Sequence, residues 1–568
     1  MLPDSTTPLL QGERLSTATV GYSTTDSSSY HDSNVPTGTQ SNAFGNERDH
    51  SGEAAHKDEP VILGGLQLGL LTLGLSLATF VVALDNTIIA TAIPRITSAF
   101  NSLDDVGWYG STYLLTVTAL QPSFGRIYIF FNVKHVYLFG VVVFEVGSIL
   151  CAAANSSKMF IIGRAVAGVG EAALYSGSMT IISIEVPLNR RPIYLSLISS
   201  VYAICSIIGP VIGGLLTDRA SWRWCFWINL PIGAVAFATV VAFFKPPRRT
   251  EDVLTTKQKI LEVDVLGTLL LSSSIVCLLV SLQWWGTTYS LDHPKVWGCL
   301  LAFCILFALF VAQQFRRDER AVIPPRILGQ KTVFWSCLYS FFLSMGAYTH
   351  IYYLPFYFQA AKGTTAEGSG IRTIPYLASN IVACIIIGAG TTLVGVFKPF
   401  MLAGAAIFTI GSALIATLKI DSPAGKWVSY EILAGLGAEA GLQLPFLAVQ
   451  AVLSQHDIPT GLAVATCFNS LGGAIAISFA QNLFYYGLRT NLPKYAPEVP
   501  VEVVLSTGPS RLQDLVSPKS LPSVRRAYME ALRSSFVLAI IVGGIGIVCS
   551  CFVEWKSIKE EKPAPDEE

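Results

Sequence analysis

Met159-Phe160-Ile161-Ile162-Gly163-Arg164-Ala165-Val166-Ala167-Gly168-Val169-Gly170-Glu171-Ala172-Ala173-Leu174 opens a run that stays apolar, small or hydroxylated as far as Ser183. Only Arg164 and Glu171 carry charge in it. A run of this length crosses the hydrocarbon layer of a bilayer as one helix, which needs roughly 20 residues. Ionisable side chains in such a helix are costly and mark a function or a partner. Arg164 and Glu171 stand seven residues apart, two turns along one face. Arg keeps its proton, whereas a carboxylate beside it can bind and release one. A purely structural ion pair is the alternative reading. The glycines and alanines between the two charges allow a neighbouring helix to approach closely.

Similar runs fill the chain, at about 64–93, 107–128, 136–154, 159–183, 193–216, 223–244, 265–285, 296–314, 333–356, 373–395, 399–418, 428–453, 460–485 and 535–555. They predict an all-α polytopic membrane protein of about 14 transmembrane helices. The runs are continuous, so they do not alternate as barrel strands do. Composition agrees. The 568 residues are 52% hydrophobic and 13% charged, with mean hydropathy +0.52. A soluble surface needs roughly 25% charge. Lys and Arg total 38 and so do Asp and Glu, leaving no basic excess for nucleic acid. The 11 cysteines sit in or beside apolar runs without a CxxC pair and read as packing residues. Neither a HExxH box nor a G-x-x-x-x-G-K-[ST] loop occurs, which speaks against a zinc enzyme and an ATP-driven pump. No cofactor or metal is expected.

Residues 1–58 are rich in Ser, Thr, Gly and Asp and predict a disordered cytosolic tail. An even helix number with that tail inside puts Arg126, Lys134, Arg190, Arg191, Lys245, Arg248, Arg249, Arg316, Arg317, Arg320, Arg326, Lys331, Lys398 and Lys556 in inner loops. Short outer loops hold about half as many cations, as the positive-inside rule asks. The densest inner loops flank the seventh and eighth runs. The expected organisation is therefore a six-helix bundle over 59–244 and a basic linker with two helices over 245–332. A second six-helix bundle follows over 333–556, with a long outer loop at 486–534 and a cytosolic tail at 557–568. Asn155-Ser156-Ser157 is a sequon in an outer loop too short to favour glycosylation.

Four stretches carry chemistry. Leu84-Asp85-Asn86-Thr87 places a carboxylate near the end of the first run; the alternative is that this helix has already reached the headgroups there. Glu145 in the third run and Glu439 in the twelfth lie among apolar residues, and each is either a proton carrier or a packed, hydrogen-bonded acid. Gly209-Pro210-Val211-Ile212-Gly213-Gly214 in the fifth run suits a bent, closely packed helix, with a weaker echo at Gly472-Gly473.

Together these stretches resemble the major facilitator superfamily, and within it the 14-helix drug:proton antiporter group, in the style of fungal toxin-efflux pumps. Leu84 to Pro94 resembles the first-helix motif, Arg164 to Gly168 the R-x-x-x-G motif, and Gly209 to Gly214 the antiporter motif. Trp222-Arg223-Trp224-Cys225-Phe226-Trp227-Ile228-Asn229-Leu230-Pro231 resembles the W-R-W-x-F-x-I-N-x-P lead into the sixth helix. Tyr352 to Gln359, Ser369 to Arg372 and Asp457 to Gly461 resemble the fungal branch. The resemblance covers about residues 60–556. The loop motif between the second and third helices departs from the family: Ile129 stands at its acidic position and Asn132 at its second glycine. Cys205 also replaces a glycine four residues before Gly209.

The resemblance implies two bundles around a central cavity open alternately to each side, and proton-coupled efflux of small, largely apolar compounds such as a fungal secondary metabolite, toxin or drug. Asp85, Arg164, Glu145, Glu171 and Glu439 are the coupling candidates. Asn86, Gln121, Asn229, Tyr353, Gln443, Gln450 and Asn469 are candidates for the substrate path, and Gly209, Pro210, Gly213 and Gly214 for the moving interface. The expected partners are a small-molecule substrate, protons and membrane lipid, with the chain a monomer in the plasma membrane or, alternatively, a vacuolar or vesicle membrane. An importer of the same fold, for a siderophore or nutrient, is the first rival. A non-transporting receptor or membrane enzyme is the second.

Overall fold

The computed structural model describes residues 65–100, 106–246, 263–287, 289, 292–364, 366–501, 504 and 516–558. The tail at 1–58 and the last ten residues lie outside these. Fourteen long helices form among the described residues: α1 (Gly65–Phe100), α2 (Val106–Phe130), α3 (Val133–Ala152), α4 (Ser157–Glu185), α5 (Arg191–Arg219), then short α6 (Trp224–Trp227) leading into α7 (Asn229–Phe243). Next come α8 (Val265–Thr287), α9 (Pro294–Arg317), short α10 (Pro325–Gly329), α11 (Lys331–Phe356), α12 (Ala366–Val394), α13 (Lys398–Ala416), α14 (Ala424–Val452), α15 (Ile458–Tyr495) and α16 (Leu521–Phe552). Twelve are long and apolar enough to cross a membrane. The other two, α2 and α11, are rich in hydroxyls and aromatics that they bury against neighbours.

Local chemistry sets several ends. Asn132 caps α3 by accepting from Lys134 N at 3.0 Å, and Ser156 caps α4 by accepting from Met159 N at 3.3 Å. Pro355 lies near the end of α11 and is followed by a π turn, Tyr357–Ala361, which Lys362 N closes by donating to the Tyr357 carbonyl at 3.1 Å. Gly395 takes a left-handed φ of 82° to end α12, and its carbonyl accepts from Ile558 N at 2.8 Å.

The packing repeats. In the first half α1 lies against α5 and α7, and α4 against α2 and α3; in the second half α11 lies against α15 and α16, and α14 against α12 and α13. Helices α8 and α9 pair with each other, and α8 rests on α2 and α15. The repeat extends to single residues. A Cβ on Gly147 would come within 2.4 Å of Ala167 N, and one on Gly411 within 2.4 Å of Ala434 N. Gly170 is pressed on Phe144 as Gly437 is on Phe408, and Gly168 on Tyr113 and Thr116 as Gly435 is on Tyr376 and Ser379. Glycine is required at these crossings because the neighbouring backbone occupies the space a side chain would fill.

One expectation needs correction. The loop at 486–534 is largely helical at both ends, since α15 continues to Tyr495 and α16 begins at Leu521. The polar residues Arg489, Thr490 and Asn491 end the apolar run but not the helix, whose Gly487 packs on Ala531. In the glycine-rich part of α5, a Cβ on Gly209 would meet Thr87 Oγ1 at 2.1 Å, Gly213 is buried, and nothing lies within 4 Å of a Cβ on Gly214. Helix α5 runs on through Pro210 and Gly213.

Candidate functional site

Asp85 of α1 and Arg164 of α4 form a salt bridge, each side chain 1% exposed. The acid is therefore enclosed within the bundle. Its other oxygen, Oδ1, accepts from Asn229 Nδ2 at 3.3 Å, and the same amide donates to Ser148 Oγ at 3.1 Å. Arg164 Nε donates to the Tyr109 carbonyl at 3.1 Å. Its guanidinium lies 4.1 Å from the centre of the Tyr113 ring, a cation–π contact that a desolvated Arg makes well. Five helices thus converge on one ion pair.

The sequence explains how. Short α6 turns the chain so that Asn229, the first residue of α7, reaches Asp85. Trp222 and Phe226 from that turn pack edge-on against Phe160, with ring centres 5.9 and 5.4 Å apart, and Tyr109 packs on the same ring at 5.1 Å. Arg223 ties the turn to the Ala154 carbonyl at 2.7 Å. These rings seal the bundle above the pair.

The expected pairing of Arg164 with Glu171 is not what forms. Arg164 turns to Asp85 on another helix, and Glu171 lies beside Tyr113 instead, with Oε2 buried and unbonded. Glu145 stands on α3 with both carboxyl oxygens buried and unbonded. It fills the space left by Gly233, where a Cβ would lie 1.8 Å from Oε1. Glu439 is 2% exposed in the second bundle, away from the ion pair, with Oε1 unbonded. A buried polar atom without a partner costs about 1–3 kcal/mol, so these acids are expensive to keep.

The substrate-path candidates separate into groups. Asn86 donates to Tyr202 Oη at 2.9 Å. Asn229 serves the ion pair. Gln443 fastens the two bundles together, donating to the Pro192 carbonyl at 3.0 Å and to Ser196 Oγ at 2.5 Å. Gln121 does likewise, accepting from Ser470 Oγ at 3.3 Å. Asn469 stays within the second bundle, donating to Ser340 Oγ at 2.9 Å. Both amide atoms of Gln450 are buried and unbonded. Tyr353 is packed among Phe356 and Phe484, with ring centres 5.4 and 5.9 Å away.

The bonds between bundles lie in the halves of the helices nearer the basic loops. Cys384 Sγ donates to the Ser196 carbonyl at 2.9 Å and Gln455 Nε2 to the Ser183 carbonyl at 2.8 Å. A latch that the sequence reading missed stands at the same end. Arg326 of α10 bonds Glu319 at 2.7 and 3.2 Å and Asp457, ahead of α15, at 3.1 Å. Arg126 of α2 donates to the Glu319 carbonyl at 2.8 Å. Burial raises the Asp457 carboxyl, but hydrogen bonds from Ser454 and Arg326 outweigh it and hold the group below its ordinary value. Ile129, at the missing acidic position of the loop motif, is buried apolar packing; the latch is built beside it from other residues.

Comparison with known proteins agrees with this architecture. The Major Facilitator Superfamily profile matches residues 75–477. The chain is 41% identical over 502 residues to "MFS-type efflux pump MFS1" of Trichophyton rubrum, covering 88% of this chain and 94% of the relative. It is 42% identical over 492 residues to "Efflux pump roqT" of Penicillium rubens, covering 87% and 91%. The solved proton:xylose symporter XylE matches with TM-score 0.57 at 14% identity, covering 88% of this chain and 98% of that one. Helix pairing, bundle repeat and sequence thus converge: the chain belongs to the major facilitator superfamily and is a multi-pass membrane protein.

Proposed function

We propose that this protein is a proton-coupled exporter of small, largely apolar organic compounds, with Asp85 as the coupling acid. The observation that carries the reading is the Asp85–Arg164 pair, buried and enclosed, with Asn229 and Ser148 behind it. An ion pair in a dry core is costly to keep and costly to split. A proton arriving at Asp85 removes that constraint, because neutral Asp85 no longer holds Arg164, and helices α1 and α4 are free to shift. The state described here, fastened at the basic end by Gln443, Cys384 and the Arg326 latch, suits a cavity facing the opposite side, where product leaves and protons enter. The relatives bearing efflux-pump names support the direction of transport. The plasma membrane is the location that fits an exporter.

Everted vesicles with an imposed pH gradient test this. Collapse of the gradient should stop uptake of an apolar fluorescent substrate, and Asp85→Asn should abolish gradient-driven uptake at unchanged protein level. Flux indifferent to the gradient would refute the coupling.

A further inference from the structure

The residue-level repeat extends the site into the second bundle. Arg164 is followed by Gly168 and Gly170; at the same spacing in α14, Glu431 is followed by Gly435 and Gly437. Those glycines press on matching partners, Tyr113 and Phe144 in one half and Tyr376 and Phe408 in the other. Glu431 therefore occupies in α14 the position that Arg164 occupies in α4. The first helix of each bundle supplies the facing group. In the first half it is Asp85. In the second, α11 brings His350 against the same two aromatic partners, its ring 5.7 Å from that of Tyr376 and 5.3 Å from that of Phe408, and Tyr376 also lies beside Glu431. Acid on the first helix and base on the fourth become base on the first and acid on the fourth.

The two halves differ in how these groups are held. Asp85 and Arg164 are bonded to each other and to their surroundings. His350 and Glu431 are both fully buried, yet both ring nitrogens of His350 and both carboxyl oxygens of Glu431 lack any hydrogen bond, as do Tyr376 Oη and Asn380 Oδ1 beside them. Buried orphans of this kind are rare in native proteins. Six such atoms on three adjoining helices make a buried polar cluster whose hydrogen-bonding capacity the surrounding side chains do not fill. The groups are an imidazole, a carboxyl, a phenol and an amide carbonyl, all buried, and two of them, the imidazole and the carboxyl, can each bind and release a proton.

We propose that His350 and Glu431 form a second proton-binding site, the charge-inverted counterpart of Asp85 and Arg164. Permanently charged Arg makes the first pair a lock; in the second pair both members can exist neutral, so it can be empty or loaded without leaving a bare ion in the core. Tyr357 and Tyr376 face Glu431 electrostatically, Glu439 also faces Tyr376, and Arg372 faces Tyr357. On α16, Phe536 packs against His350, and the nearby Arg533 is engaged by Glu530 at 3.2 Å and the Ala416 carbonyl at 3.3 Å.

The inference rests on the proton-coupled reading, but its test needs no substrate. Infrared difference spectra of the purified full chain in nanodiscs, taken from about pH 5 to about pH 9, report protonated buried carboxyls directly. A carboxyl band should bleach as pH rises, vanish in Glu431→Gln, and shift in frequency in Glu431→Asp. Its midpoint should move by about one pH unit in His350→Gln, a tenfold change in proton affinity. Asp85→Asn should leave the band in place, so loss of coupling at Asp85 and loss of this site are separate results. A band unaltered by both Glu431 variants, or one that never titrates, would overturn the proposal.

Discussion

Arg164 is held from three directions: a carboxylate on α1, a backbone carbonyl on α2 and the face of Tyr113. A lysine could satisfy the charge but not the fork and the ring together. Arg164→Ala leaves Asp85 as an unpaired buried charge, and removal of one member of a buried pair costs about 3–5 kcal/mol. We expect a clear fall in the thermal midpoint of the purified protein, with much of it recovered in the double variant Asp85→Asn/Arg164→Ala. An equal fall in the double variant would show that packing, not charge, is what Arg164 supplies. Both residues were legible in the sequence as charges in apolar runs. Their pairing was not, because seven-residue spacing places Arg164 and Glu171 on one face but does not say which helix that face meets. His350 and Glu431 escaped notice for a related reason: one is a lone histidine and the other stands near the end of its run. Comparing Arg164-x-x-x-Gly168-x-Gly170 with Glu431-x-x-x-Gly435-x-Gly437 would have exposed the second.

At the scale of elements, the linker is more than a spacer between bundles. Short α10 brings Arg326 against both Glu319 and Asp457, tying the linker to the start of α15, while Arg126 ties α2 to the same place. Because the Asp457 carboxyl is held below its ordinary value, its contribution is fully present above about pH 4. It is lost as pH falls through the lowered value, so near neutral pH the latch is complete. Arg326 is about half exposed, which limits such a pair to roughly 0.2–1 kcal/mol. Asp457→Asn should therefore raise labelling of a cysteine placed at Ser196 by no more than about fivefold, through more frequent opening of the basic end. Unchanged labelling would show that the latch bears no load. The sequence located the helices because each apolar run is long, but it missed this latch. Exposed charges in a loop have no period, and only the fold brings positions 126, 319, 326 and 457 together.

Across the whole molecule, two bundles built on one plan carry opposite chemistry at matched positions: a locked ion pair in one and unbonded titratable groups in the other. The all-α membrane class followed from hydropathy and charge placement and the major facilitator fold from the family resemblance; the glycine echo hinted at a repeat, but its residue-level detail became visible only when glycine contacts in the two halves were compared. Alternating access of such a pair of bundles requires that the fastened basic end open when the Asp85–Arg164 pair is released. The most direct test is to record lumenal pH and flux together in proteoliposomes driven only by a gradient of an apolar fluorescent substrate. The account predicts that protons move opposite to the substrate in the wild-type protein, and that Asp85→Asn abolishes the pH change. Substrate flux with no accompanying proton movement, or a pH change that persists in Asp85→Asn, would contradict it.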